Sequence, residues 1–136
     1  MNKLPAEIAV ETTHHAEMIN ITAQIQAALT SMPDAHSART AVIFIPHTTA
    51  AVTVNENTDP DVATDIINAL EKLVPWHAGY RHTEGNSAAH VKASVLGSSV
   101  TVPLRDGYLL LGRWQAIYFC EFDGPRRRTA FITVNH

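Results

Sequence analysis

The chain has 136 residues, of which 46% are hydrophobic and 17% charged, with a formal net charge of −3 at pH 7. This composition predicts one globular domain over residues 1–136 and excludes a disordered chain, while the negative charge argues against nucleic-acid or membrane binding through bulk charge. No segment reaches transmembrane length, no N-terminal apolar signal region is present, and the single cysteine, Cys120, suits a reducing compartment. The expected location is therefore the cytoplasm.

The first third of the chain predicts two short strands and one helix. Residues 6–13 alternate between apolar and polar side chains, which is typical of a half-buried strand. A second short strand is expected over residues 18–21. Thr22 can cap a helix over residues 23–32, which ends before Pro33.

The middle of the chain predicts two strands and a well-marked helix. Residues 41–45 (AVIFI) form a continuous apolar run that predicts a strand buried on both faces. A strand rich in β-branched residues is expected over residues 52–56. The next helix starts with Asp59 as N-cap and Pro60 at the first helical position, and its apolar face continues at helical spacing to Leu73.

The last third predicts one more helix and several strands. Ser87 is expected to cap a helix over residues 88–96, and Gly97 to close it. The sequence Arg105-Asp106-Gly107 is a hairpin turn signal. Strands are expected on both sides of this turn and at the end of the chain, over residues 98–103, 108–111, 114–122 and 126–134.

Several of these strands follow one another without a helix between them. Such an order favours an α+β fold over alternating α/β units. The prediction is one compact domain with a large, mostly antiparallel or mixed β-sheet of sandwich-like form. It contains seven or eight strands and about three helices.

The segment from Tyr80 to Gly97 (YRHTEGNSAAHVKASVLG) is where the sequence concentrates chemically active side chains. His82 and Glu84 are two residues apart and project from one face of an extended segment, and His90 falls in the first turn of the following helix. His47 follows the apolar strand. Three neutral imidazoles can hold a divalent metal with a position left open, although a histidine taken alone is more often an ordinary hydrogen-bonded side chain.

Glu84 and His82 are the predicted catalytic residues. A carboxylate beside an activated water can take its proton, which makes Glu84 the best candidate for a general base. The alternative is that Glu84 caps a loop or pairs with an arginine.

An anion site is predicted from the start of the third helix and from the basic segment DGPRRR. Asn86 and Ser87 lie at the helix start, where backbone N–H groups are free to bind anions. Arg126 and Arg127 are the candidate phosphate ligands, since guanidinium groups bind phosphate through two hydrogen bonds. On a strand, Arg126 and Arg128 share one face and Arg127 lies on the other. The alternative is an edge strand protected by charge.

A second polar segment, residues 55–61 (NENTDPD), carries oxygen ligands suited to a hard cation or to a hydroxyl-bearing ligand. Helix capping is the simpler interpretation for Asp59 and Asp61. Glu56 is retained as a candidate substrate-binding residue.

Three blocks of the sequence resemble a known family. The blocks FIPHTTAAVTVNENTDPDV, RHTEGNSAAHVKASVLGSSVTVP and LGRWQAIYFCEFDGPRRR, in this order, are similar to the YjbQ family, also called the secondary thiamine-phosphate synthase family. The resemblance implies a compact α+β fold and a homotrimer. It also implies a weak ability to join hydroxymethylpyrimidine diphosphate and thiazole phosphate, and a metal or anion pocket surrounded by His47, His82 and His90.

These observations predict an enzyme that acts on phosphorylated metabolites at a histidine-rich pocket. The expected cofactor is a divalent metal, with zinc favoured and magnesium as the alternative. Two other hypotheses stay open. One is a metal-dependent hydrolase with a different substrate, and the other is a non-catalytic trimer that binds a phosphorylated metabolite.

Overall fold

A computed structural model describes residues 5–136; the part of the predicted domain over residues 1–4 lies outside this range. Along the described residues run eight strands, three α-helices and one short 3-10 helix. In chain order they are β1 (Ala6–Glu11), β2 (Glu17–Asn20), α1 (Thr22–Thr30), the 3-10 helix (Pro33–Ser37), β3 (Thr40–Phe44), β4 (Ala50–Glu56), α2 (Pro60–Leu73), α3 (Ser87–Leu96), β5 (Ser99–Arg105), β6 (Tyr108–Leu109), β7 (Gln115–Glu121) and β8 (Arg127–Asn135). None of the helices in this part of the chain is long and apolar enough to cross a bilayer.

The described strands form two antiparallel sheets. The first sheet has the order β1-β8-β3-β5-β6 and the second has the order β2-β7-β4. β7 and β8 are consecutive in the chain but lie inside different sheets, so the short connection between them passes from one sheet to the other. This architecture confirms the predicted α+β fold.

The second sheet is covered on both of its faces. One face packs against the first sheet and α1 around a large apolar core that includes Ile25, Ile43 and Phe119. The opposite face packs against α2 and α3, where Leu70 and Phe122 are buried. β7 is therefore buried at every position after Gln115, which explains why its sequence is almost continuously apolar.

Two burial predictions were wrong. β3 alternates between buried and more exposed positions instead of being buried on both faces, and Phe44 is 43% exposed. The reason is that the outer face of the first sheet has no covering layer within the described chain. Leu73, the last position of the predicted apolar face of α2, is 77% exposed because the helix ends there and its side chain passes beyond the second core.

The predicted start of α2 is confirmed, and that of α1 is shifted. Asp59 Oδ1 accepts a hydrogen bond from the Asp61 N–H at 2.9 Å. Thr22 is the first residue of α1 and not its cap. Its hydroxyl instead donates to Asn20 Oδ1 at 2.7 Å and accepts the Ile117 N–H at 2.8 Å, which attaches the helix to β7.

The start of α3 differs from the prediction by one residue. Asn86, not Ser87, occupies the N-cap position, and no side chain caps the helix there. The Asn86 amide is instead committed to Asp123, to which its Nδ2 donates at 2.9 Å. Gly97 closes the helix with φ +100, a conformation that favours glycine.

The predicted hairpin turn is confirmed between β5 and β6. Asp106 and Gly107 both have positive φ values, 52° and 82°, as a two-residue turn between antiparallel strands requires. The return strand is shorter than predicted.

The connection from β7 to β8 packs closely against the turn after β1. The Gly124 N–H donates to the His15 carbonyl at 3.0 Å. A Cβ atom at Gly124 would lie 2.3 Å from the His14 carbonyl oxygen and 2.8 Å from Thr12 Oγ1. No real Cβ approaches backbone so closely, so this position admits only glycine without movement of one of the two segments.

We predict that Gly124→Ala lowers the free energy of unfolding by about 1–3 kcal/mol, because the added methyl group must displace backbone. Chemical denaturation measures this difference. Gly112→Ala is the matched control, since its Cβ would meet only the flexible side chain of Gln115. Equal stability of the two variants would contradict the close packing at Gly124.

Candidate functional site

A cavity of about 770 Å³ opens between the end of β3, the start of α3 and the β7–β8 connection. It brings together six residues that the sequence singled out from three separate segments. These are His47, His82, Glu84, Asn86, His90 and Arg126. The main cluster predicted from the sequence therefore forms one concave surface.

Three other predicted site residues lie elsewhere. Ser87 begins α3 and is not part of the cavity lining. Arg127 is 91% exposed and pairs with Glu11 at 3.4 Å on the outer face of the first sheet. Glu56 lies at the far end of β4, a strand of seven residues, and is therefore roughly 20 Å away from Thr49, which lines the cavity.

A tight turn before α3 positions His82 and Glu84. The Gly85 N–H donates to the His82 carbonyl at 3.1 Å, and Gly85 has a φ of +78°. The two side chains therefore project from a turn and not from the predicted extended segment. His82 Nε2 lies 3.9 Å from Glu84 Oε2, and the rings of His82 and His90 meet edge to face with centroids 5.5 Å apart.

His47 is held in one tautomer by the backbone of β8. The Thr129 N–H donates to His47 Nε2 at 2.9 Å, so the neutral ring carries its proton on Nδ1. Burial lowers the pKa of His47, and the nearby positive charge of Arg128 lowers it further. His47 thus presents a neutral N–H donor at neutral pH.

This hydrogen bond decides how His47 can interact with a metal. Its Nε2 lone pair is occupied by the Thr129 N–H, and its Nδ1 carries the proton, so neither nitrogen is free to coordinate. Within residues 5–136 no group of three or more histidine, cysteine, aspartate or glutamate side chains is arranged to hold a metal ion. The predicted three-histidine ligand set therefore does not fit this geometry, and His82 and His90 are the imidazoles that remain available.

Beneath the cavity lies a buried ion pair between Glu121 and Arg128. Arg128 Nε donates to Glu121 Oε1 at 2.8 Å, and Arg128 Nη2 donates to Glu121 Oε2. Glu121 is completely buried, and Arg128 is 6% exposed. Arg128 Nη2 also donates to Thr49 Oγ1 at 2.9 Å. The pair thereby connects β7, β8 and the start of β4.

Three further donors complete the environment of the Glu121 carboxylate. Thr12 Oγ1 donates to Oε1 at 2.8 Å, and the N–H groups of Phe122 and Asp123 each donate to Oε2 at 3.0 Å. Burial alone raises the pKa of Glu121, but the hydrogen bonds from Arg128, Asp123 and Thr12 outweigh it and hold the pKa below its usual value. The carboxylate is therefore charged at neutral pH.

A second polar network joins α3 to the β7–β8 connection. Asp123 Oδ2 accepts both Asn86 Nδ2 at 2.9 Å and Arg126 Nη2 at 3.0 Å. Arg126 Nε also donates to the Asp123 carbonyl at 2.8 Å. Asn86 Oδ1 is buried and has no hydrogen-bond partner in the described chain. The start of α3 is thus held at the cavity wall by a side chain and not by a helix cap.

Sequence reasoning missed two residues that build the site. Arg128 lines the cavity, and the predicted alternation assigned it to the same side as Arg126, but Arg126 and Arg127 were the candidate ligands. Glu121 was not considered, although it is the only charged residue in the apolar run WQAIYFCEF. A single carboxylate in a strand buried on both faces signals a buried cationic partner.

Comparison with known proteins agrees with this fold. Residues 6–136 match the family model described as UPF0047 protein YjbQ-like. The chain belongs to the YjbQ/UPF0047 family. The family resemblance predicted from the three sequence blocks is therefore confirmed.

Individual relatives match this chain over nearly their full length. UPF0047 protein YugU of Bacillus subtilis is 48% identical over 128 residues, which cover 93% of this chain and 96% of YugU. UPF0047 protein MJ1081 of Methanocaldococcus jannaschii is 44% identical over 97% of this chain and 94% of its own. The crystal structure of an uncharacterized conserved family protein from Clostridium acetobutylicum superimposes with a TM-score of 0.90 at 46% identity, covering 95% of this chain and 98% of that one.

We predict that Glu121→Gln lowers the free energy of unfolding by about 3–5 kcal/mol, because it leaves the buried charge of Arg128 uncompensated. The double variant Glu121→Gln/Arg128→Met should recover part of this loss, since no buried charge remains and the amide oxygen still accepts from the buried N–H groups of Phe122 and Asp123. Chemical denaturation at neutral pH measures both. A double variant as unstable as the single one would contradict this account of the ion pair.

The same pair predicts the direction of the acid dependence. The folded pKa of Glu121 is depressed, so its stabilising contribution is fully present above the usual value of 4.5 and is lost as the pH falls through the folded pKa. Glu121→Gln should lack this component of the acid-induced loss of stability.

Proposed function

We propose that the protein is an enzyme that acts on a small phosphorylated metabolite in the cavity. The observation that supports this most directly is the lining itself, which combines two arginines, three histidines, two carboxylates and an amide in one space of about 770 Å³. Small-molecule sites have volumes of about 300–1,000 Å³ and a few converging polar groups.

In this proposal the phosphate group lies near Arg126 and the start of α3. Arg126 Nε and Nη2 are engaged by Asp123, which fixes the guanidinium at the cavity wall and leaves Nη1 for a ligand. The first turn of α3 has no side-chain cap, so its N–H groups add a favourable partial positive charge for an anion.

Glu84 and His82 are the proposed acid–base residues. Their side chains lie within 3.9 Å of each other at the solvent-accessible side of the cavity. Glu84 is able to accept a proton from a substrate hydroxyl or a water, and His82 is able to orient the carboxylate or deliver a proton to a leaving oxygen. A substitution of Glu84 therefore removes the proton acceptor, whereas a substitution of His82 removes the group that orients it or protonates the leaving oxygen.

The finer form of the proposal is synthesis of thiamine phosphate, the activity implied by the sequence resemblance. The bond between the pyrimidine methylene carbon and the diphosphate oxygen breaks, and the diphosphate leaves with the electron pair. The thiazole nitrogen lone pair forms the new bond to the same carbon. Arg126 supports this route because it can stabilise the departing diphosphate charge.

A hydrolase is the second candidate function, and the exposure of Glu84 favours it. Its side chain is 71% exposed, so water reaches the proposed base directly. In hydrolysis Glu84 takes a proton from the water whose oxygen bonds to phosphorus. The bond between phosphorus and the ester oxygen breaks, and that oxygen leaves with the electron pair and takes a proton from His82. A divalent metal, zinc or magnesium, belongs to this proposal with His82 and His90 as the protein's donors, and when bound it supplies charge stabilisation of the phosphate.

We predict that Glu84→Gln lowers the rate of hydrolysis by at least about 100-fold while phosphorylated ligands still bind, because a general base contributes about 10²–10⁴-fold. Thiamine-phosphate formation should change far less, because the attack of the thiazole nitrogen transfers no proton to Glu84. Thiamine-phosphate formation and inorganic phosphate release are measured in parallel on untagged protein, with zinc, with magnesium or with a chelator. The two products separate the synthase from the hydrolase, and the chelator measures the metal requirement.

Asp65→Asn is the matched control, since it makes the same carboxylate-to-amide change at an exposed position of α2. It should keep full turnover. Unchanged turnover in Glu84→Gln would remove Glu84 from the mechanism. Binding without turnover in the wild-type protein would favour the third hypothesis, a non-catalytic protein that binds phosphorylated metabolites.

We further propose that the protein assembles as a homotrimer through the outer face of the first sheet. Phe44 on this face is 43% exposed and pairs in register with Phe131 of β8, which gives the face an apolar centre. Aromatic side chains that are partly exposed on an uncovered sheet are typical of protein interfaces.

This assembly predicts a particle of three times the 14.9 kDa chain mass in sedimentation equilibrium. Phe44→Glu should shift the mass toward the monomer because it introduces a charge into the buried contact. Leu73→Glu, an equally drastic change at an exposed position of α2, should leave the mass unchanged. A monomeric wild-type protein would contradict the proposal.

A further inference from the structure

Two side chains that line the cavity, one buried and one half-buried, keep a hydrogen-bond donor without a partner in the described chain. They are Arg128 and His47, which lie close enough for the arginine charge to lower the histidine pKa. We infer that they form an oxyanion seat at the floor of the cavity, separate from the contact proposed at Arg126. The seat binds the terminal phosphate or carboxylate of a ligand.

Arg128 has one nitrogen without a partner. Its Nε and Nη2 are occupied by Glu121 and Thr49, and no described residue accepts a hydrogen bond from Nη1. Nη1 is nevertheless not among the fully buried atoms without a partner, and Arg128 lines the cavity. Nη1 is therefore the free donor of a cavity-lining residue that is only 6% exposed.

His47 contributes a second fixed donor. Its Nε2 accepts the Thr129 N–H, so its Nδ1–H has no competing tautomer. Within the described chain Nδ1 has no partner, and it is not sealed off from the cavity either. Unlike Arg126, whose side chain is 51% exposed, both floor residues are held by neighbours and lose little conformational freedom when a ligand binds.

The donors define the chemistry of the ligand. Nη1 and Nδ1 are both donors, and one belongs to a cation, so they match an oxygen that carries negative charge. A ligand held this way presents an anionic end to the floor and extends toward Glu84 and His82 at the opening. This assignment rests on the proposed function for the location of the reacting end, whereas the seat itself requires no catalysis.

An NMR titration with inorganic phosphate tests the seat. The probes are the Arg128 Nε–H and the Thr129 amide, which reports on His47 through their hydrogen bond. Phosphate should shift both signals saturably, whereas chloride at equal ionic strength should not. His47→Gln should weaken phosphate binding about tenfold or more, as expected for one hydrogen bond to a charged group, and its amide spectrum verifies folding.

Arg126→Ala is the control, and it should retain phosphate binding at the floor. Acetate in place of phosphate distinguishes a carboxylate ligand from a phosphate ligand, and saturable binding of either anion at the floor supports the seat. Two results would overturn it: no saturable shift with either anion, or phosphate binding that is lost in Arg126→Ala and unchanged in His47→Gln. The second result contradicts only the seat and leaves the proposed function in place. Full turnover in Glu84→Gln, together with phosphate binding at the floor, would contradict the proposed role of Glu84 and leave the seat in place.

Discussion

The Glu121 carboxylate is the interaction on which the rest of the site depends. It is completely buried. The desolvation cost of a buried carboxylate is offset only if hydrogen bonds and a counter-charge replace the lost hydration. Arg128 supplies the counter-charge from β8, and Thr12 donates from the segment after β1. Since β7 belongs to one sheet and β8 and β1 to the other, satisfying this one carboxylate fixes both sheets relative to each other.

This arrangement gives the cavity two parts, a floor held by hydrogen bonds and an opening formed by an exposed turn. Arg128 also holds Thr49, and the strand that carries it binds the ring of His47 through Thr129, so the floor is rigid. His82 and Glu84 project from an exposed turn that only backbone hydrogen bonding and α3 restrain. A rigid floor suits recognition, and a solvent-accessible turn with an acid–base pair suits chemistry that involves water or proton exchange.

The features that could be predicted from the sequence are those determined by residues close together in the chain. The N-cap of α2 at Asp59 and the turn at Asp106 depend on neighbouring residues alone, and both were found from sequence. The convergence of His82, Glu84 and His90 was also predictable, because these residues are close in the chain. Glu56 lies away from the cavity for the opposite reason, since an extended strand separates residues quickly in space.

The parts that sequence could not predict depend on tertiary contacts. The periodicity of a strand assigns Arg126 and Arg128 to one side and Arg127 to the other, but it does not reveal which side faces a cavity. That choice is made by the pairing of β8 with β1 and β3. Likewise nothing near His47 in the sequence indicates that Thr129, 82 residues later, donates to its ring. This bond converts a candidate metal ligand into a hydrogen-bond donor.

The buried ion pair itself points to function more than to stability. Replacing a buried salt bridge by apolar side chains of similar volume is often neutral or stabilising, so holding the two sheets together does not in itself require a charged arginine at position 128. Aliphatic residues could not present the Arg128 Nη1 donors to the cavity beside the His47 N–H. Glu121 is therefore best understood as a positioning residue: it holds Arg128 in one orientation in the interior, with one edge of the guanidinium left open to a ligand.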